Sequence, residues 1–181
     1  MRFKAFLPLA VLTVGVIVLG ALAAQAAKTP ATKPAEAAAQ WKTMFPQGLI
    51  DAEGKPTDLS KLNGKIVGLY FSAHWCPPCK VFTPLLVDFR DKNAANFEVV
   101  FVSSDNTKEE HRKYMAEAQM KWLAVEYKTD PASALMKQFD VKGIPTLVIL
   151  GPDGKEITRA GRADVTNDPN TALSKWQKAA K

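Results

Sequence analysis

The chain has 181 residues, of which 47% are apolar, and 24 Lys and Arg stand against 18 Asp and Glu for a net charge of +6. That length supports one sizeable core, and the charge excess is too mild for a nucleic-acid binder, because Lys42, Lys55, Lys61, Lys92 and Lys121 are scattered without interleaved aromatics. Two cysteines and two histidines, His74 and His111, are poor material for a four-ligand structural zinc site, so no metal and no other cofactor is expected.

The first residues have the pattern of a targeting segment. Arg2 and Lys4 precede an apolar run over residues 5–24, and Ala24-Gln25-Ala26 has the small-residue form of a cleavage site. Residues 1–26 read as a signal peptide, with an uncleaved membrane anchor over 5–24 as the alternative, since about 20 apolar residues can span a bilayer. Either way the expected location is exported, periplasmic or extracytoplasmic. Residues 27–40, rich in Ala, Lys, Pro and Thr, read as a linker. Residues 41–181 remain as one globular domain.

Within that domain Leu49 to Pro56 suggests a small edge strand and turn. Ile66 to Phe71 and Phe97 to Val102 are short, β-branched or aromatic runs, which predict buried strands. Between them Phe82, Leu85, Leu86 and Phe89 recur at helical spacing. Pro77 and Pro78 fit the first turn of that helix, and Pro84 is expected to kink it. A second helix is predicted over Lys108 to Met120, a short strand or extended loop over Trp122 to Tyr127, and a short helix over Pro131 to Phe139. Thr146 to Leu150, the turn Gly151-Pro152-Asp153-Gly154 and Lys155 to Arg159 read as a hairpin, and a last helix as Pro169 to Ala179. The order of elements is that of an α/β fold, a central mixed β-sheet flanked by helices on both faces.

Both cysteines lie in Trp75-Cys76-Pro77-Pro78-Cys79, at the junction of a predicted strand and helix. There the first sulfur meets the unpaired N–H groups and the positive end of the helix dipole, which favour a thiolate, and the second lies one turn on, within disulfide reach. A staple closing so short a loop would constrain little of the unfolded chain, so a redox-active pair is the stronger reading and an inert pair the weaker.

The run Leu69 to Lys80, with Phe82-Thr83-Pro84, Val100 to Asp105, Trp122-Leu123-Ala124-Val125 and Val141 to Thr146, resembles the thioredoxin superfamily, and within it the tryparedoxin and nucleoredoxin-like branch. The resemblance implies a thioredoxin-like fold preceded here by the signal or anchor segment, with Cys76 as attacking nucleophile, Cys79 as resolving cysteine and Pro145 as a cis-proline facing them. Trp75, Pro77, Pro78, Ile144 and Pro145 would then form the docking surface, and the backbone of Ile144 would pair with an extended substrate segment. His74 and Lys80 are candidates for charge tuning or proton transfer. Two positions depart from the family pattern. Tyr70 stands where thioredoxin has a buried acid proposed to take the proton of the resolving thiol, and Glu126 follows Trp122 to Val125 where proline is common, which makes Glu126 a candidate base.

The expected function is an exported thiol–disulfide oxidoreductase, working as a reductase on protein disulfides. Its electron donor or acceptor would be another thiol–disulfide protein, membrane-bound in some such systems, and the chain would act as a monomer. A peptide-binding module latched by its cysteines and a thiol peroxidase are the competing readings.

Overall fold

The computed structural model describes residues 33–127 and 130–181. The predicted leader, residues 1–26, and the first part of the predicted linker, 27–32, lie outside the described residues. Residues 33–40, inside the expected linker, open helix α1 (Lys33–Met44), where the prolines had suggested no helix. A 12-residue helix is marginal in isolation. This one is anchored at its C-terminal end by Trp41 and Met44, with Phe45 just beyond, all three buried. At roughly 1.5–3 kcal/mol for each large apolar side chain, that burial holds the C-terminal end of the helix in place.

Seven strands form one sheet among the described residues: β1 (Leu49–Ile50), β2 (Pro56–Thr57), β3 (Ile66–Ser72), β4 (Phe97–Ser103), β5 (Leu123–Ala124), β6 (Thr146–Leu150) and β7 (Glu156–Thr158). Their order is β2-β1-β5-β4-β3-β6-β7. The pairs β3/β4 and β4/β5 are parallel, while β6 runs antiparallel to β3, and β7 and β1 continue antiparallel on the two sides. The sheet is therefore mixed, as expected. The parallel crossovers are α2 (Pro77–Lys92) and α3 (Lys108–Glu117), and the remaining helices are α4 (Asp130–Gln138), α5 (Gly161–Asn167) and α6 (Ala172–Ala179).

Because strand side chains alternate between faces, β3 and β4 feed two cores. Tyr70, Phe97, Val99 and Phe101 point to one face, where they meet Phe82, Leu86 and Phe89 of α2, Tyr114 and Met115 of α3, and Trp176 of α6. Val67, Leu69, Phe71, Val100 and Val102 point to the other, against Trp41, Phe45, Leu135 and Phe139. Helices cover both faces of the sheet.

The C-terminal region departs from expectation in one respect. A single last helix was predicted, and the chain forms two, with α5 inserted between the hairpin and α6. Helix α5 lies so close to β6 that a Cβ on Gly161 would sit 2.7 Å from the Leu147 carbonyl oxygen. Only the lack of a side chain there permits the approach. No helix among the described residues is long and apolar enough to cross a membrane.

Candidate active site

Strand β3 delivers the chain to the site fully buried, and residues Ala73 to Cys76 make a tight turn in which Cys76 N–H donates to the Ala73 carbonyl at 3.2 Å. Both central residues of the turn are tied down. The backbone N–H of His74 donates to Asp105 Oδ1 at 2.6 Å, and Trp75 Nε1 donates to the Ser104 carbonyl at 3.1 Å. Asp105 is in turn held by Ser103, whose hydroxyl donates to Oδ2 at 2.8 Å. Burial holds the Asp105 carboxyl above its ordinary value, opposed by those hydrogen bonds.

Cys76 is the N-cap of α2, and its sulfur accepts the Cys79 N–H at 3.3 Å. The missing N–H groups of Pro77 and Pro78 cost nothing in the first turn. The helix continues through Pro84, which has no N–H to give to the Lys80 carbonyl. Cys76 and Cys79 form a disulfide, with Cα atoms 5.2 Å apart. Both sulfur residues are buried, Cys79 completely. Across from them the Ile144–Pro145 peptide bond is cis, and the Ile144 carbonyl oxygen lies 3.8 Å from Cys76 Sγ.

Around the pair the sequence-predicted residues fall into two groups. Trp75, 54% exposed, stands on the surface with Pro77 and Pro78, so it is not a core residue. Ile144 packs against Ala73 and the two cysteines. His74 and Lys80 line a cavity of about 250 Å³ beside α2, together with Thr83, Pro84, Tyr114, Glu117 and Ala118. His74 Nε2 is 2.9 Å from Glu117 Oε2, and its ring stacks on Tyr114 with centroids 5.4 Å apart. Glu126 pairs with Lys108 at 3.0 Å, at the first residue of α3.

Behind Cys79 lies a cluster that sequence reasoning missed. Tyr70, Ser72, Thr83 and Tyr114 join their hydroxyls in a ring, with oxygen separations of 2.7 Å for Tyr70 to Thr83, 2.6 Å for Thr83 to Tyr114, 3.2 Å for Tyr114 to Ser72 and 2.9 Å for Ser72 to Tyr70. Counting protons fixes their direction. Thr83 donates to the Cys79 carbonyl at 2.9 Å, so it accepts from both tyrosines, and Ser72 donates to Tyr70. No proton remains for the 3.2 Å side, which is the longest of the four. Burial, and then the neighbouring Tyr114, drive the Tyr70 phenol above its ordinary value. Tyr70 thus replaces an acid with a group that keeps its proton. A signal for the ring was present: Tyr70 and Ser72 share a face by strand alternation, and Thr83 is one helical turn after Cys79.

Residues 63–156 match the family model described as Thioredoxin-like. Human nucleoredoxin is 45% identical over 133 residues, 71% of this chain and 30% of that protein, so the chain spans less than a third of that relative's length. Tryparedoxin of Trypanosoma brucei brucei is 43% identical over 132 residues, 71% of this chain and 90% of that one. Among solved structures, tryparedoxin II from C. fasciculata superposes with a TM-score of 0.69 at 39% identity, covering 74% of this chain and 92% of its own.

Proposed function

The chain belongs to the thioredoxin-like family of thiol–disulfide oxidoreductases, and from that premise we propose that it is an exported reductase of protein disulfides in which Cys76 attacks and Cys79 resolves. The observation that carries the assignment of roles is the asymmetry of the two sulfurs. Cys76 caps α2 and accepts a backbone N–H, an environment that stabilises a thiolate, whereas Cys79 is fully buried one turn inside. The Cys76 thiolate breaks a substrate S–S bond, forming a mixed disulfide and releasing one substrate thiolate. Cys79 then attacks Cys76 Sγ, the second substrate sulfur leaves with its electron pair, and the protein is left oxidised. A thiol donor restores the dithiol, and no cofactor takes part.

Trp75, Pro77, Pro78, Ile144 and Pro145 form the docking surface in this reading, with the Ile144 backbone beside Cys76 available to an extended substrate segment. The reducing direction follows the likeness to tryparedoxins. Export rests on the basic start, the apolar run and the Ala24-Gln25-Ala26 site. Residues 1–26 are its leader and the redox domain follows them. The mass of the mature N-terminus tests this part, and a cytosolic protein retaining Met1 refutes it.

The catalytic roles are tested by trapping. Cys79→Ser should accumulate a dithiothreitol-sensitive mixed disulfide with oxidised substrate, Cys76→Ser should not, and the wild-type protein should reduce insulin. No adduct on Cys79→Ser together with no insulin reduction refutes the proposal. Equilibration with glutathione fixes the potential, which the reductase reading sets toward the −270 mV end of the roughly −270 to −120 mV spanned by such dithiols.

A further inference from the structure

We propose that His74, oriented by Glu117, takes up the proton of the Cys79 thiol during resolution and returns it to solvent. The proposal rests on the exchange chemistry above and names a group that chemistry needs. When Cys79 Sγ attacks the Cys76–substrate disulfide, one S–S bond forms, one breaks, and the electron pair leaves on the substrate sulfur. The proton on Cys79 must go elsewhere, and Cys79 is sealed from bulk water.

The hydroxyls gathered at the Cys79 carbonyl cannot store that proton. Tyr70, Ser72, Thr83 and Tyr114 are neutral hydroxyls whose own protons are committed, so none of them can keep another. The ring has an open side, however. Thr83 and Tyr114 both line the cavity of about 250 Å³ whose other wall holds His74, Lys80 and Glu117. That volume accommodates several waters at roughly 30 Å³ each. Of these three, His74 alone has a ring with one nitrogen that donates and one that accepts, the combination needed to take up a proton and pass it on.

His74 is also built in as a base requires. With Nε2–H donated to Glu117 Oε2 at 2.9 Å, the lone pair is on Nδ1 and is left to accept a proton. The ring is fixed against Tyr114 of α3, and the backbone is fixed by Asp105. The charged groups facing it are Glu117 on α3, itself 3.8 Å from Lys113, Lys80 on α2, and Asp105 in the loop after β4. Asp105 is the rival acceptor, but both its oxygens are engaged, by His74 N–H and by Ser103, and it does not line the cavity. Glu126 is paired with Lys108 at the opposite end of α3 from Glu117.

The test separates resolution from nucleophilic attack in the full-length protein. The Cys76 mixed disulfide with a small aromatic thiol is prepared, release of that thiol is followed from pH 6 to 9, and alkylation of Cys76 in the reduced protein by iodoacetamide is the reference. His74→Gln should slow release relative to alkylation by on the order of a hundredfold at pH 7, the effect closing above pH 8.5 as hydroxide takes over. Glu117→Gln should show a smaller loss with the same pH signature, and free imidazole should restore release in His74→Ala. A His74→Gln protein whose release keeps the wild-type pH profile, slowed equally at every pH or not at all, overturns the assignment. So does loss of the profile in Asp105→Asn with His74→Gln unaffected. Failure of the underlying function looks different: the wild-type mixed disulfide then releases no thiol at any pH.

Discussion

Thr83 Oγ1 and Tyr114 OH are 2.6 Å apart behind the Cys76–Cys79 disulfide, and this contact ties α2 to α3 at the depth of the redox pair. Thr83 accepts from two buried phenols and donates to the Cys79 carbonyl. Thr83→Val is nearly isosteric but removes the acceptor. Tyr70 can turn to the Cys79 carbonyl and Tyr114 to Ser72, along contacts of 3.5 and 3.2 Å. The expected loss is therefore about 1–3 kcal/mol, the cost of poorly satisfied buried donors. Urea unfolding of Thr83→Val and Thr83→Ser checks it, the serine variant remaining close to wild type.

Gly161→Ala is the corresponding test of α5. The new methyl would meet the Leu147 carbonyl oxygen at 2.7 Å and the Ile149 side chain at 2.8 Å. A backbone oxygen inside a sheet cannot yield, so α5 must move. Overpacking of this kind costs about 1–3 kcal/mol. A thermal transition lowered by several degrees is the expected result, and an unchanged one would mean that α5 is loosely held.

How much of this was legible in the sequence depends on whether the signal was local. The runs Ile66 to Phe71 and Phe97 to Val102 are continuous apolar segments, and both became central strands. Helix α2 could be read from its spacing and its prolines. Helix α5 could not: in Gly161–Asn167 only Gly161, Asp164 and Val165 are buried, and what holds it is a close backbone approach to β6 that no periodicity encodes. Helix α1 was hidden by Pro34 and an alanine-rich start, its anchors Trp41 and Met44 falling in the last turn. The site divides in the same way. The Cys76/Cys79 pair is a local pattern, whereas the hydroxyl ring and the His74–Glu117 pair join residues that only the fold brings together.

Trp75→Ala should separate docking from stability. The indole is half exposed and its one hydrogen bond, to the Ser104 carbonyl, lies at the surface, so its loss should cost under about 1 kcal/mol of folding free energy. Removal of an exposed aromatic anchor from a protein interface typically costs about 1–2 kcal/mol of binding. The expected signature is a roughly tenfold higher KM for a protein disulfide, with little change for a small-molecule disulfide. An equal loss with both substrates would move Trp75 from docking to positioning of Cys76.

His111 predicts the acid limit of the fold. It is completely buried, edge-on to Phe101 with ring centroids 5.1 Å apart, and neither ring nitrogen has a hydrogen-bond partner among the described residues. Burial, and after it the neighbouring Arg112, push its pKa down from 6.5 to about 4; Glu126 opposes them, and Lys108 adds the smallest downward push. Above pH 6.5 the imidazole is neutral in both folded and unfolded chains, and stability is at its full value. Below that pH the unfolded chain binds a proton that the folded chain refuses, so stability falls with pH until the folded site titrates near pH 4. At about 1.4 kcal/mol per tenfold the loss approaches roughly 3 kcal/mol. Carboxylates add their own dependence at the acid end of this range, so the measurement is a difference. Urea midpoints at pH 7.0, 5.5 and 4.5 should fall more steeply for the wild-type protein than for His111→Leu, whose side chain fills the site and binds no proton. Parallel curves for the two proteins would show that His111 is protonated in the fold at little cost.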